Sequence, residues 1–299
     1  MEIESLIFPL WAEVNMSFPS AEEVQQLAKS YISHYDEDTL CIKYDGVIFL
    51  AQNLALPLKA VLMGLLEKDI WPLRFYRNKG VFTAAQMIHL LSQRVFLAGC
   101  GGLGGYVAQL MTRMGVGAFR LCDPDVFEES NINRQCFCTE KTLGQLKVEV
   151  CRQNLLDIAS YLDVEAYALA ADPHTLPQLL TDVDLVVDCL DSVPRKKMLE
   201  QAAEETGIPF LHGSVLQNEG FAFFSSSSSS PSVRLSSLYP DIQAGNASSG
   251  GQSTSVCAVA GVAGLMVALF GKSLSPAFPQ NSHLLHLDCS IPELEQFDF

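Results

Sequence analysis

The sequence predicts an α/β protein, a Rossmann-like and mostly parallel sheet with helices on both faces, plus a small N-terminal α+β domain. Two observations predict it. From residue 94 onward, short apolar runs alternate with helix-like segments, the order that places a parallel sheet between helical layers. The first run, Arg94-Val-Phe-Leu-Ala98, leads directly into Gly99-Cys-Gly-Gly-Leu-Gly104-Gly105, a strand, glycine turn and helix start of the kind that presents a ligand site at the carboxyl end of a sheet. The chain divides near residue 72, giving an accessory domain over 1–72 and a main domain over 73–299.

In the accessory domain, Ser20 with Glu23 three residues on forms a capping-box signature, so a helix is expected over Ser20 to Ser33. Leu40 to Leu50 reads as a hairpin turning at Asp45-Gly46. Pro57 to Leu66 reads as a second helix, with the proline in the first turn, where its missing N–H costs nothing. In the main domain, strands are expected at Val95 to Ala98, Phe119 to Cys122, Asp163 to Leu169, Leu185 to Cys189 and Phe210 to His212. Phe221 to Ser225 starts an antiparallel extension, and Leu284 to Asp288 is a late strand. The serine run Ser225 to Ser230, followed by Pro231 and the small-residue patch Gly245 to Gly251, has too little apolar surface to offset its ordering entropy. A flexible loop over about 225–254 is therefore expected, either a clamp that orders on a partner or a simple linker.

The chemistry starts at the glycine loop. A glycine turn feeding a helix aims backbone N–H groups and the positive end of the helix dipole at whatever lies above it, which favours phosphate. Gly99, Gly101, Gly102 and Gly104 are the cradle candidates, and Asp123 on the next strand stands where a ribose-binding carboxylate is expected. These features serve NAD and ATP equally. Arg134, Lys147 and an acid at Asp191 separate the two, because cleaving ATP between its α and β phosphates calls for cations on the departing pyrophosphate and a carboxylate for magnesium.

With those residues in order, the segment from about Arg74 to Gly271 resembles the ThiF/MoeB/HesA family, bacterial relatives of ubiquitin-activating enzymes. The matching pieces are Arg74-Phe-Tyr-Arg-Asn78, Gly99-x-Gly-Gly-x-Gly104, Asp123-x-Asp125, Asn131-x-x-Arg-Gln135, Gly144-Gln-x-Lys147 and Asp188-x-x-Asp191-Ser192. The resemblance implies an adenylyltransferase using ATP and magnesium. Asp123 would hold the ribose, Asp125 in the same motif would lie at the nucleotide site, and Asn131, Arg134, Gln135 and Lys147 would surround the phosphates. Asp191 would bind magnesium, and Arg77 would reach the triphosphate from a partner subunit, which implies a homodimer. The implied substrate is a ubiquitin-like sulfur carrier ending in Gly-Gly, with a separate sulfur donor. Other carboxylates, on a peptide or a tRNA, and a carrier-binding scaffold without turnover are the alternatives.

The chain departs from the family at three places. Lys196 stands where an arginine is common, which keeps the charge but loses the planar fork. No Cys-x-x-Cys pair is present, so no zinc site is expected. The serine run occupies the position of part of the family's zinc-binding segment. Cys257 precedes the apolar run Ala258 to Phe270 and is the candidate nucleophile, since a helix N-terminus favours thiolate; a small residue of a helix is the plainer reading. The other eight cysteines show no pairing pattern and are expected mostly in apolar strands.

Composition bounds the rest. A chain of 299 residues, 48% hydrophobic, can bury one large core and a small accessory domain. Its nine cysteines without a disulfide framework suit a reducing cytoplasm, and Met1-Glu-Ile-Glu lacks the positive start of a signal peptide. The longest apolar run, Val256 to Phe270, falls short of a bilayer span, so no membrane is expected. A net charge of −15 argues against nucleic acid as partner. Against that background Arg74, Arg77, Arg94, Arg134 and Lys147 are expected to gather at the nucleotide site.

Overall fold

The computed structural model of the protein describes residues 18–226, 234–239, 253–275 and 283–298. Most of the expected loop, including the rest of the serine run and the patch 245–251, lies outside these residues. The backbone divides into two compact units, Met1–Gln93 with Met114–Ala118, and Arg94–Arg113 with Phe119–Phe299.

The first unit begins with the helix Ala21–Leu27. Its capping box is complete, with the Glu23 N–H donating to Ser20 Oγ at 3.3 Å and the Ser20 N–H to Glu23 Oε2 at 2.8 Å. The helix is shorter than expected, because Ile32–His34 forms a strand, β1, antiparallel to β2, Leu40–Ile42. Strand β2 in turn pairs in parallel with β3, Trp71–Pro72.

No hairpin turns at Asp45-Gly46; β2 ends at Ile42 and Tyr44–Leu54 is a helix. The physical reason is packing. Val47 and Leu50 bury one helical face beside Gly46, and a Cβ on Gly46 would lie 2.4 Å from Tyr31 Cβ. This glycine permits close approach and does not serve a turn. Gly46→Ala is expected to lower stability by about 1 kcal/mol or more, because overpacking of roughly 1–3 kcal/mol exceeds a helix-propensity gain of about 1 kcal/mol. A denaturant midpoint that stays put or rises would sink that expectation.

The helix Leu58–Glu67 follows, with Pro57 as its N-cap and every residue from Ala60 to Leu66 buried. The helix Ala84–Ser92, capped by Thr83, packs against it through Met87, Ile88, Leu90 and Leu91. That packing carries the first unit to Gln93, beyond the boundary expected near residue 72. The motif Arg74 to Asn78, a 3₁₀ turn spanning Leu73–Asn78, therefore belongs to the first unit.

The second unit is built on an eight-stranded sheet in the order β11-β10-β9-β8-β7-β4-β5-β6. The strands are β4 Arg94–Ala98, β5 Ala118–Cys122, β6 Asp163–Tyr167, β7 Leu185–Asp188 and β8 Phe210–Leu216. They continue with β9 Glu219–Ser225, β10 His283–Asp288 and β11 Glu293–Asp298. Strand β7 runs parallel to both β4 and β8, while β8 to β11 form an antiparallel meander, so the expected extension and late strand are both present. Strand β11 has no counterpart in the sequence reading.

Helices flank the sheet: Gly102–Met114, Lys147–Ile158, Val193–Thr206 and Val256–Ser273. The last, 18 residues of mean hydropathy 1.8, is by length and composition apolar enough to cross a membrane. It packs on the sheet, with Met266 against Gly213, Val262 against Gly220 and Gly261 against Leu287. Phe96, Val186, Phe210, Phe223 and Leu199 form part of the core. The register aligns Ala98, Asp188 and His212 in one row across the carboxyl ends of β4 and β7 and on into β8.

Candidate functional site

The carboxyl ends of β4, β5 and β7 deliver most of the expected residues. After β4 the chain turns at Gly99, whose φ of +92° is open to glycine and strained for other residues. A Cβ on Gly99 would lie 2.6 Å from the Cys189 carbonyl oxygen, and one on Gly104 would lie 1.8 Å from the Gly99 oxygen. The loop is thus closed backbone against backbone. The helix Gly102–Met114 starts inside it, so its first-turn N–H groups, which have no acceptor within the helix, point out of the loop. Gly101 and Gly102 are more open, with the Gln135 amide at 3.5 Å and Val259 at 3.4 Å from their Cβ positions.

Asp123 follows β5 and is 6% exposed. Its Oδ2 accepts the Cys100 N–H at 2.7 Å and its Oδ1 the Asp125 N–H at 2.8 Å. Burial pushes its pKa up, and these two N–H groups pull the other way. Each oxygen retains a lone pair for a hydroxyl, the chemistry of a ribose clamp. The bond from Cys100 ties Asp123 to the glycine loop.

A bridge between Val126 and Leu146 brings the start of the helix Lys147–Ile158 beside Asp125. There the Lys147 N–H donates to the Asp125 carbonyl at 2.9 Å, and Lys147 Nζ lies 3.0 Å from Asp125 Oδ2. Lys147 is buried along its stem while Asp125 faces solvent. Asn131 and Gln135 are buried, and Gln135 Oε1 has no hydrogen-bond partner among the described residues. Arg134 is half-buried and held through Nη1 by the Ser130 carbonyl at 2.8 Å and Asn133 Oδ1 at 2.9 Å. Asp191 is exposed in the turn after β7.

Residues 75–277 match the model of the ThiF family. The chain belongs to the ThiF family. It is 37% identical over 133 residues to the pig (Sus scrofa) adenylyltransferase and sulfurtransferase MOCS3, covering 44% of this chain and 29% of that one. It is 30% identical over 184 residues to the Escherichia coli molybdopterin-synthase adenylyltransferase, covering 61% of this chain and 70% of the relative. The fold resembles that of E. coli MccB solved with ATP, at TM-score 0.59 and 17% identity, over 84% of this chain and 82% of MccB. MccB solved with AMPCPP and MccA gives TM-score 0.59 and 18% identity over 75% and 71%.

One cation of this ThiF-family chain, Arg94, does not sit where the sequence reading put it. Arg94 lies at the amino end of β4, away from the strand ends that carry the glycine loop, and pairs with Asp163 at 2.6 Å and Glu165 at 2.8 Å. Arg74 and Arg77 lie on the first unit. Arg77 is exposed there, within 5.9 Å and 5.8 Å of the Tyr35 and Tyr76 ring centroids, and Nη2 donates to Tyr35 Oη at 3.4 Å. Lys196 lies in the interior, 3% exposed. Its Nζ lies 3.3 Å from Asp188 Oδ2 and 3.0 Å from the Gly213 carbonyl.

Sequence reasoning missed His212, whose Nδ1 lies 2.7 Å from the same Asp188 oxygen; both side chains are fully buried. Burial raises the Asp188 pKa, but Lys196 and His212 outweigh it and the net shift is downward. Burial, reinforced by Lys196, lowers that of His212. The ionised carboxylate therefore accepts from a neutral imidazole at Nδ1. The only available sequence signal was Asp188 within the family motif, because the pairing with His212 is a product of strand register.

The nine cysteines are unpaired, and only Cys41 and Cys122 lie in strands. Cys257 is exposed on the first turn of the helix Val256–Ser273, two residues before the Val259 that touches Gly102. Brief iodoacetamide treatment of the native protein is expected to alkylate Cys257 well before the buried Cys100, Cys122 and Cys151. Peptide mass spectrometry showing Cys100 or Cys151 labelled first would contradict this arrangement. Among the described residues, no three or more His, Cys, Asp and Glu side chains gather as a metal cage.

Proposed function

We propose that the protein is an adenylyltransferase that activates the C-terminal carboxylate of a ubiquitin-like sulfur carrier ending in Gly-Gly, using ATP and magnesium in a reducing cytoplasm. The observation that carries the reading is the gathering of complementary groups on adjacent strand ends. A helix N-terminus in a backbone-closed glycine loop follows β4, a ribose-type acid at Asp123 and an Asp125 paired with Lys147 follow β5, and an exposed carboxylate at Asp191 follows β7. One carboxylate suits magnesium, which takes its other ligands from phosphates and water. Asp191 would hold the metal, which when bound neutralises charge on the phosphates.

The carrier's carboxylate is already ionised at neutral pH, so the protein needs no strong base. Its oxygen attacks the α-phosphorus, the bond to the β-phosphate oxygen breaks, and acyl-adenylate and pyrophosphate form. Lys147 and Arg134 take up the charge accumulating on the pyrophosphate, while Asp123 and the glycine loop fix the nucleotide for in-line attack. A sulfur donor then displaces AMP, either directly or through Cys257 as acceptor.

Arg77 acts in this reading from the partner subunit of a homodimer. Mixing Arg77→Ala protein with Asp191→Ala protein tests it: recovered activity supports a shared site, and no recovery removes the trans role. ATP–pyrophosphate exchange, with and without candidate Gly-Gly-ending carriers, tests the reaction. Exchange that depends on one carrier supports the reading, and ATP binding without exchange for any carrier sinks it.

A second reading, adenylation of another polypeptide's carboxylate, is favoured by one observation. The fold likeness to MccB covers a larger share of the chain than residues 75–277 supply. Exchange driven by a peptide lacking Gly-Gly, but not by carriers, would favour it.

A further inference from the structure

We infer that Lys196 and His212 are positioning residues for Asp191, acting through the buried carboxylate of Asp188; the inference rests on the reading of Asp191 as the magnesium carboxylate. Asp188 ends β7, and its two oxygens do different work. Oδ1 accepts the Leu190 N–H at 3.0 Å, which fixes the turn that leads to Asp191. Oδ2 is held by His212 Nδ1 at 2.7 Å and by Lys196 Nζ at 3.3 Å. Lys196 is itself anchored to the Gly213 carbonyl at 3.0 Å. The carboxylate is thereby tied to β8 and to the helix Val193–Thr206 at once.

The opposite side of the same turn is clamped as well. The Cys189 N–H donates to the Ala98 carbonyl at 2.9 Å, and the Cys189 oxygen occupies the space that a Cβ on Gly99 would need. The turn of residues 189–191 therefore sits between the glycine loop and a buried ion network, and Asp191 leaves it toward solvent.

Stability alone is a poor reason for such a network. A buried ion pair barely offsets its own desolvation, and well-packed apolar residues often serve as well. His212 Nε2 adds to the cost, having no partner among the described residues. Orientation of a metal-binding carboxylate does require fixed partners behind it, and removing such partners commonly weakens metal affinity 10- to 100-fold.

The test separates metal from nucleotide. Binding of AMPCPP is measured without metal by calorimetry, and Mn²⁺ is then titrated into the nucleotide complex by electron paramagnetic resonance. Lys196→Met is expected to leave metal-free AMPCPP affinity within about 2-fold of wild type and to weaken Mn²⁺ about 10-fold or more, with Lys196→Arg restoring most of the loss. His212→Phe keeps a ring against Phe210 and Phe223 and carries the test if Lys196→Met does not fold; a several-fold loss of Mn²⁺ affinity is expected. Wild-type Mn²⁺ affinity in the folded variants, with only melting temperature reduced, overturns the inference alone. Wild-type protein that binds AMPCPP equally with and without Mn²⁺ overturns the Asp191 reading and the inference together.

Discussion

Lys147→Ala is expected to reduce ATP–pyrophosphate exchange by roughly 10²–10³-fold, the loss that follows removal of one preorganised group from a developing oxyanion. The structure makes this a clean experiment. The partner left behind, Asp125, has a side chain 63% exposed, so it is rehydrated rather than stranded. The variant should fold, bind the adenosine end through Asp123, and fail on the phosphates. Lys147→Arg should recover only part of the rate, because a planar fork does not fit where a point charge reaches along a buried stem. Exchange within a few-fold of wild type in Lys147→Ala would remove the lysine from the reaction and leave Arg134 and the loop N–H groups to carry it.

The second large effect is expected from one methyl group. Gly104→Ala places a Cβ 1.8 Å from the Gly99 oxygen and 2.8 Å from its carbonyl carbon. Both obstacles are backbone, so nothing can swing aside, and the loop opens or the protein does not fold. The expected cost is about 3 kcal/mol or more, at the upper end of overpacking, against a helix-propensity gain of only about 1 kcal/mol. ATP binding should be lost with it. Gly264→Ala is the control: it also lies within a helix, but its Cβ would meet nothing within 4 Å, so stability should rise by up to about 1 kcal/mol. Equal denaturant midpoints for the two variants would refute the close-packed account of the loop.

The parts of this protein legible in the sequence were those specified by local chemistry. The Ser20–Glu23 capping box, the strand leading into Gly99 and the extension at Phe221 depend on residues a few positions apart, and the structure contains all three. Asp45-Gly46 misled because a local turn signal competed with tertiary packing: Gly46 is fixed by Tyr31, fifteen residues upstream. Arg94 misled because charge says nothing about which end of a strand a residue occupies. Strand β11 was illegible because only two of its six residues, Leu294 and Phe297, are apolar, and it forms by pairing with β10. The Asp188, Lys196 and His212 network lay furthest from view, since a buried lysine on a helix looks in sequence like any solvated one.

Strand β11 also bears on how copies of this molecule behave when crowded. It ends the row of eight strands, with its outer hydrogen-bonding edge unpaired by any strand among the described residues and with Leu294 and Phe297 exposed. An open edge with apolar side chains invites a neighbouring chain to add on and continue the sheet. Glu293 and Glu295 stand along that edge and are exposed. Two molecules aligning there would set carboxylates against carboxylates, a repulsion that reaches about 8 Å at physiological salt. The acidic residues thus guard against filament growth.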